Sequence, residues 1–202
     1  MELRSGSEAL GSSGGISASP EVSSGCIQVP ELRGSSRLDA EVAGEGLSLL
    51  AVLCRSLNRS GVRYVLVGGY AVILHGYSRT TQDIDLLVDP APENIGKLRQ
   101  ALYETFGEEA VFEIRDGDIQ TYTVIRFVPE SGEIAVDLIG RIGEVDFWRA
   151  ASDVEEIEVE GVKVPVCGLE TLIETKRGAR TRDQEDLMFL LGKREFRRRR
   201  GR

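Results

Sequence analysis

The chain has 202 residues, enough for one domain with a buried core and short for two. Hydrophobic residues at 41% and charged residues at 29% are ordinary for a soluble globular protein, and no run approaches the roughly 20 apolar residues that a membrane-spanning helix needs. The net charge of -8 argues against an extended basic surface for duplex nucleic acid, although Lys193 to Arg202 sets seven basic side chains against one acidic.

Residues 1–38 are rich in Gly, Ser and Pro and show no apolar periodicity, so they cannot bury enough surface to offset the entropy of ordering; a disordered leader is expected. Within it, Met1 to Ser24 lacks the apolar core of a secretory signal, and a cytoplasmic location is expected. From Asp39 to Arg59, Leu47, Leu50, Leu53, Cys54 and Leu57 recur at helical spacing. Tyr64 to Val67 is a short strand ended by Gly68 and Gly69, and Tyr70 to His75 opens a helix. A second strand, Asp83 to Val88, stops at Asp89-Pro90 and is followed by a helix from Glu93 to Phe106. Thr121 to Val128 and Glu133 to Ile139, joined by Pro129-Glu130-Ser131-Gly132, predict an antiparallel pair. Val154 to Val159 and Val162 to Val166 flank Glu160-Gly161 as a smaller hairpin, and helices over Leu169–Ala179 and Arg182–Leu191 close the chain. The predicted fold is α/β (α+β): a mixed central sheet with flanking helices, mainly on one side, over residues 39–192, followed by a basic tail at 193–202. Cys26, Cys54 and Cys167 form no C-x-x-C pair, so neither a disulfide framework nor a zinc site is indicated; the latter two are expected in the core.

Chemistry concentrates between Gly68 and Val88. Asp83 and Asp85 alternate with Ile84 and Leu86, which puts both carboxylates on one face of a strand with Cα atoms about 7 Å apart. Like charges held so close repel unless a cation lies between them, and Mg²⁺ takes carboxylate oxygens together with substrate phosphates. The bland alternative is a strand end whose acids face solvent. Asp137, inside the apolar strand Ile134 to Ile139, is the third candidate: alone it reads as a solvent-facing acid, but beside D-x-D on a neighbouring strand it reads as a metal ligand. Gly68 and Gly69 stand at a strand-to-helix turn, where backbone N–H groups and the helix dipole favour phosphate.

These residues carry a resemblance. Two glycines, a short apolar helix, H-G, an Arg, then T-Q-D-I-D and an isolated Asp in a later strand are similar to the minimal nucleotidyltransferases of the DNA polymerase beta superfamily, especially the abortive-infection and toxin–antitoxin type. The stretch from Leu169 to Leu187, with a Lys and then R-D-Q-E-D, resembles their closing helices. The resemblance implies a nucleotidyltransferase fold, NTP (ATP among the candidates) as substrate, and one or two Mg²⁺ ions held by Asp83, Asp85 and Asp137. It implies that Asp137 helps to deprotonate the acceptor, that Gly68 and Gly69 cradle phosphate, and that Arg79 and Lys176 contact the triphosphate. The sequence departs from the pattern where many members place Ser after the first glycine; Gly69 and Tyr70 offer no aliphatic hydroxyl there.

His75, the single histidine, is expected to orient the loop before Gly76, and Asp183, Glu185 and Asp186 to cap a helix start and pair with Arg180 and Arg182. The run Arg197 to Arg200 is expected to be solvated, with RNA as the alternative ligand. Two readings follow. One is an Mg²⁺-dependent enzyme moving NMP from an NTP to an RNA, protein or small-molecule acceptor. The other is a non-catalytic, nucleotide-binding regulatory module, such as one component of a toxin–antitoxin pair acting with its cognate partner.

Overall fold

A computed structural model of the chain describes residues 16–19, 37–132, 134–177 and 181–201. Most of the expected leader, Cys26 with it, and Glu133, residues 178–180 and Arg202 lie outside these described residues. Part of the leader does not: Ile16–Ser19 forms strand β1 at a sheet edge, antiparallel to a strand more than a hundred residues later.

Helix α1 (Arg37–Arg59) turns Leu50, Leu53, Cys54 and Leu57 inward at spacings of three and four, and all four are fully buried. Strand β2 (Tyr64–Leu66) runs into α2 (Gly68–Leu74), which begins on the two glycines themselves, two residues earlier than expected. Strand β3 (Asp83–Val88) has the expected limits and leads to α3 (Pro92–Phe106), which buries Ile95, Leu98, Ala101 and Leu102 and packs against α1. Ser56 Oγ donates to the Ala101 carbonyl at 3.0 Å, tying the two helices. Between β3 and α3, buried Asn94 accepts from Arg63 N and donates to the carbonyls of Arg63 and Asp89, which fixes the Asp89-Pro90 turn.

The next stretch, unassigned in the sequence, holds a 3-10 turn (Glu109–Glu113) and the one-turn α4 (Asp118–Thr121). The expected antiparallel pair follows as β4 (Val124–Phe127) and β5 (Ala135–Ile139). Two short strands, β6 (Arg141–Ile142) and β7 (Val145–Asp146), and the short helix α5 (Phe147–Ala151) come next, again unassigned in the sequence because elements of two to five residues carry no measurable periodicity. The hairpin of β8 (Glu155–Val159) and β9 (Val162–Val166) turns through Glu160 and Gly161, both at positive φ. Helix α6 (Leu169–Thr175) and α7 (Thr181–Arg200) finish the fold. The basic run is therefore no separate tail: α7 continues through it, with Arg197 forked onto Glu155 of β8 at 2.8 and 3.0 Å.

The main sheet has the order β1-β4-β5-β3-β2-β9-β8. Neighbours are antiparallel except β5-β3 and β3's other neighbour's partner β2-β9, which are parallel, so the sheet is mixed as expected. Leu86, Leu87 and Val88 are consecutive on β3 and all fully buried. Successive strand residues face opposite ways, so this end of the strand is covered on both faces rather than mainly on one. Among the described residues no helix is long and apolar enough to cross a membrane.

Candidate active site

Strand β3 alternates Asp83, Asp85 and Leu87 on one face with Ile84, Leu86 and Val88 on the other. Its parallel neighbour β5 is in register so that Asp137 lies directly beside Asp85, and Ala135 beside Asp83. The three acidic residues expected from the sequence therefore share one patch of one sheet face. Desolvation, the charge of Asp137 and then that of Asp83 push the Asp85 carboxyl up to about 7; the Lys176 charge and the Gly69 N–H pull the other way. The patch is short of positive charge.

Part of that deficit is met by a residue the sequence reading missed. Arg126 on β4 stands opposite Asp137 in the antiparallel register. Its guanidinium forks onto Asp137, Nε to Oδ1 at 2.8 Å and Nη2 to Oδ2 at 2.8 Å, and Nη2 also lies 3.1 Å from Asp83 Oδ1. Part of the signal was available: Arg126 interrupts V-I-R-F on the face opposite buried Ile125 and Phe127, and a tight turn at Pro129–Gly132 would set it opposite Ala135, on the same face as its actual partner Asp137 but two residues short of it.

Gly68 and Gly69 lie against the carboxylates for a steric reason. Gly68 has φ +64, and a Cβ there would fall 1.9 Å from Asp85 Oδ2; one on Gly69 would fall 2.3 Å from Thr81 Oγ1. Only glycine lets the turn approach so closely that its backbone N–H bonds Asp85. Tyr70, the next residue, is buried, and burial together with the Asp83 charge pushes its hydroxyl up to about 12.

Arg79 approaches the same turn, and the Lys176 charge is felt at Asp85. Arg79 Nη2 is 3.3 Å from the position a Gly69 Cβ would take. Both cations are anchored by Asp186 of α7, which is 1% exposed: Arg79 Nη1 at 2.5 Å and Lys176 Nζ at 2.9 Å, with Asp183 a further partner of Lys176 at 3.2 Å. Asp183 and Asp186 are thus tied to cations outside their own helix; Arg180 and the side chain of Arg182, their expected partners, lie outside what the structure describes.

His75 is buried, and its Nε2–H donates to the Cys167 carbonyl at 2.9 Å while Lys193 Nζ donates to the His75 carbonyl. Burial holds its pKa below the ordinary value, so it is a neutral strut between α2, α7 and the end of β9. Cys54 and Cys167 are buried free thiols pushed up to about 11 and about 12 by desolvation.

Among the described residues no group of three or more His, Cys, Asp or Glu is gathered into a ready metal cage. The donor set nevertheless suits a hard divalent cation: three carboxylates on one face, crowded enough to raise Asp85, with Arg126 as the resident positive charge.

A sequence profile of a family described as nucleotidyl transferases of unknown function (DUF2204) matches residues 47–196. No functionally curated protein matches the sequence. Among solved structures, the antibiotic-resistance factor ANT(2'')-Ia aligns with a TM-score of 0.50 at 16% identity, covering 74% of this chain and 84% of that one. A protein from Thermotoga maritima, provisionally named a nucleotidyltransferase, aligns at 0.49 with 20% identity over 74% of this chain and 94% of that one. An antigenic nucleotidyltransferase-like protein of Paracoccidioides brasiliensis aligns at 0.49 with 16% identity, over 72% and 75%.

Proposed function

The chain belongs to this nucleotidyl transferase family, and from that premise we propose that it moves a nucleoside monophosphate from an NTP to an acceptor hydroxyl or phosphate, with Asp83, Asp85 and Asp137 holding Mg²⁺. The observation that carries the reading is the register of β3 and β5, which sets Asp85 beside Asp137 with Asp83 two residues away on the same face. Mg²⁺, when bound, supplies charge neutralisation for the triphosphate and for the oxygens entering and leaving the α-phosphorus.

The chain's own residues do the rest. The turn at Gly68 and Gly69 brings backbone close enough for phosphate oxygens to approach without a side chain between. Arg79, beside that turn, and Lys176 supply charge-assisted bonds to the triphosphate, and Asp186 keeps them from swinging into solvent. An acceptor oxygen bonds to the α-phosphorus as the bond to the β-phosphate bridging oxygen breaks. Pyrophosphate departs, and a carboxylate oxygen of Asp137 accepts the acceptor's proton. RNA, protein and small molecules are all acceptors of suitable chemistry, and the cytoplasm is the compartment that supplies NTP and Mg²⁺.

Incubation of the protein with each α-³²P-labelled NTP, Mg²⁺, total RNA and cell lysate tests this directly, beside Asp83→Ala/Asp85→Ala. Label carried to RNA, protein or a small molecule by the intact chain alone is the expected result, and it names the acceptor class. A second reading, a regulatory nucleotide-binding module acting with a cognate toxin or antitoxin, draws support from Arg126, which pairs with two of the three carboxylates, and from Gly69-Tyr70 where the pattern of the resembled superfamily has Ser. NTP binding without transfer by any nucleotide, together with a stably co-purifying partner, would favour that reading over the enzyme.

A further inference from the structure

Three carboxylates and one guanidinium on a sheet face leave an arithmetic question, since a divalent cation and Arg126 address the same oxygens. Arg126 engages both oxygens of Asp137 and reaches Asp83, which are two of the three expected metal ligands. Planar, bidentate guanidinium–carboxylate pairs are strong, and their geometry uses the in-plane lone pairs that a metal would take. Two features make the pair exchangeable. The Arg126 side chain is 36% exposed while that of Asp137 is 11% exposed, so the guanidinium has solvent to move into and the carboxylate does not. The strand beneath it is held independently by Ile125 and Phe127, both buried on the opposite face, so the side chain can swing without β4 leaving the sheet. Lys176 and Arg79 cannot fill the same role, because their ion pairs go to Asp183 and Asp186.

We propose that Arg126 is a counter-ion gate: its guanidinium occupies the divalent-cation position in the ligand-free protein, must leave Asp83 and Asp137 before the cation binds, and thereby sets how much metal the site takes without nucleotide. The proposal rests on the reading of these carboxylates as metal ligands. Arg126 is a positioning residue in this scheme. It holds the carboxylates together and properly aimed while no cation is present, and it suppresses metal loading until a bound triphosphate adds its own affinity for the cation. The exchange is a competition of two cations for one set of oxygens, so weakening the resident strengthens the visitor by mass action.

The test is Mn²⁺ titration of the full chain without nucleotide, read from the EPR signal of free Mn²⁺, for the wild type, Arg126→Gln and Arg126→Lys. Arg126→Gln should bind at least about tenfold tighter, the change expected when one charge-assisted bidentate pair no longer competes. Arg126→Lys, which keeps the charge and loses the fork, should fall between. Wild type and Arg126→Gln binding Mn²⁺ with equal affinity, or Arg126→Gln binding more weakly, would overturn the gate and leave the metal reading intact. Absence of Mn²⁺ binding in all three would remove the metal reading and the gate with it. A second measurement needs no neutral variant. In the ¹⁵N-labelled wild type, the Arg126 Nε–H resonance, assigned by its loss in Arg126→Lys, should move to the position of a free guanidinium as Mg²⁺ is added; a resonance unmoved at saturating Mg²⁺ would equally reject the exchange.

Discussion

At Gly68 one added methyl group would lie 1.9 Å from Asp85 Oδ2 and 2.7 Å from its Cβ, and the backbone sits at φ +64. Neither the strand that carries Asp85 nor the turn can retreat, since Val67 N donates to the Asp85 carbonyl at 2.9 Å and Ile84 and Leu86 are locked in the core. Gly161 offers the control: its φ is +75, yet nothing lies within 4 Å of the position its Cβ would take. Gly161→Ala should therefore cost only the left-handed backbone penalty, about 1 kcal/mol. Gly68→Ala should cost about 2–5 kcal/mol, because overpacking adds to the same penalty. Urea unfolding of the two variants checks the difference, and equal losses would show that the crowding at Asp85 relaxes. The glycine pair was legible as a turn that lets backbone approach a charged group. What it approaches first, Asp85, was not, because side-chain proximity across a strand pair is not written in spacing along one strand.

Helices α6 and α7 show the same limit one level up. Asp183 and Asp186 fit an i, i+3 and i, i+4 pattern with Arg180 and Arg182, and that local pattern is complete in itself. The fold also ties Asp186 to Arg79, 107 residues away, and to Lys176 at the end of α6, contacts that no local pattern contains. Removing one partner of a buried ion pair strands the others, so Asp186→Ala should destabilise the protein by about 3–5 kcal/mol. Asp183, more exposed and bound to Lys176 alone among its described ion pairs, should lose less than about 1 kcal/mol on the same change. Guanidinium unfolding measures both, and a small loss at Asp186 would mean that Arg79 and Lys176 find other partners. Strands were read well where both neighbours and length cooperate: β3 and β9 have their predicted limits, since alternation between turn residues marks both ends. Arg126 escaped because its meaning depends on the register of β4 against β5, which the Pro129–Gly132 turn does not fix: the observed pairing is offset by two residues from that of a tight hairpin. The length of α7 escaped because a run of arginines has no apolar face to count, while Arg197 is held on β8 by Glu155 and Arg194 on α6 by Glu170.

At the scale of the whole molecule the site is a product of the complete sheet. Asp83 and Asp85 come from β3, Asp137 from β5 some fifty residues later, Lys176 from the end of α6, and the anchoring Asp186 from α7. Asp83 and Asp85 are local to one strand, but the carboxylate set and its cations meet only through the sheet and the helices that cover it, so a partly unfolded chain cannot present the site, and whatever binds it must stabilise the fold as a unit. With Mg²⁺ and a non-hydrolysable NTP at a hundred times the dissociation constant, the gain should be about 2.7 kcal/mol. For a chain of this length, that corresponds to a rise in melting temperature of roughly 5–10 °C. Asp85→Asn should lose the rise while remaining folded, because the substitution removes a charge that burial and two neighbouring carboxylates already disfavour in the ligand-free state. Thermal melts with NTP alone, Mg²⁺ alone and both together separate the contributions. If Arg126 gates the metal, Mg²⁺ alone should leave the melting temperature nearly unmoved and the two ligands together should raise it by more than the sum of their separate effects. Additive shifts would instead mean that triphosphate and metal reach the carboxylate face independently, and that the charge balance around Asp85 is set by the fold without reference to what binds there.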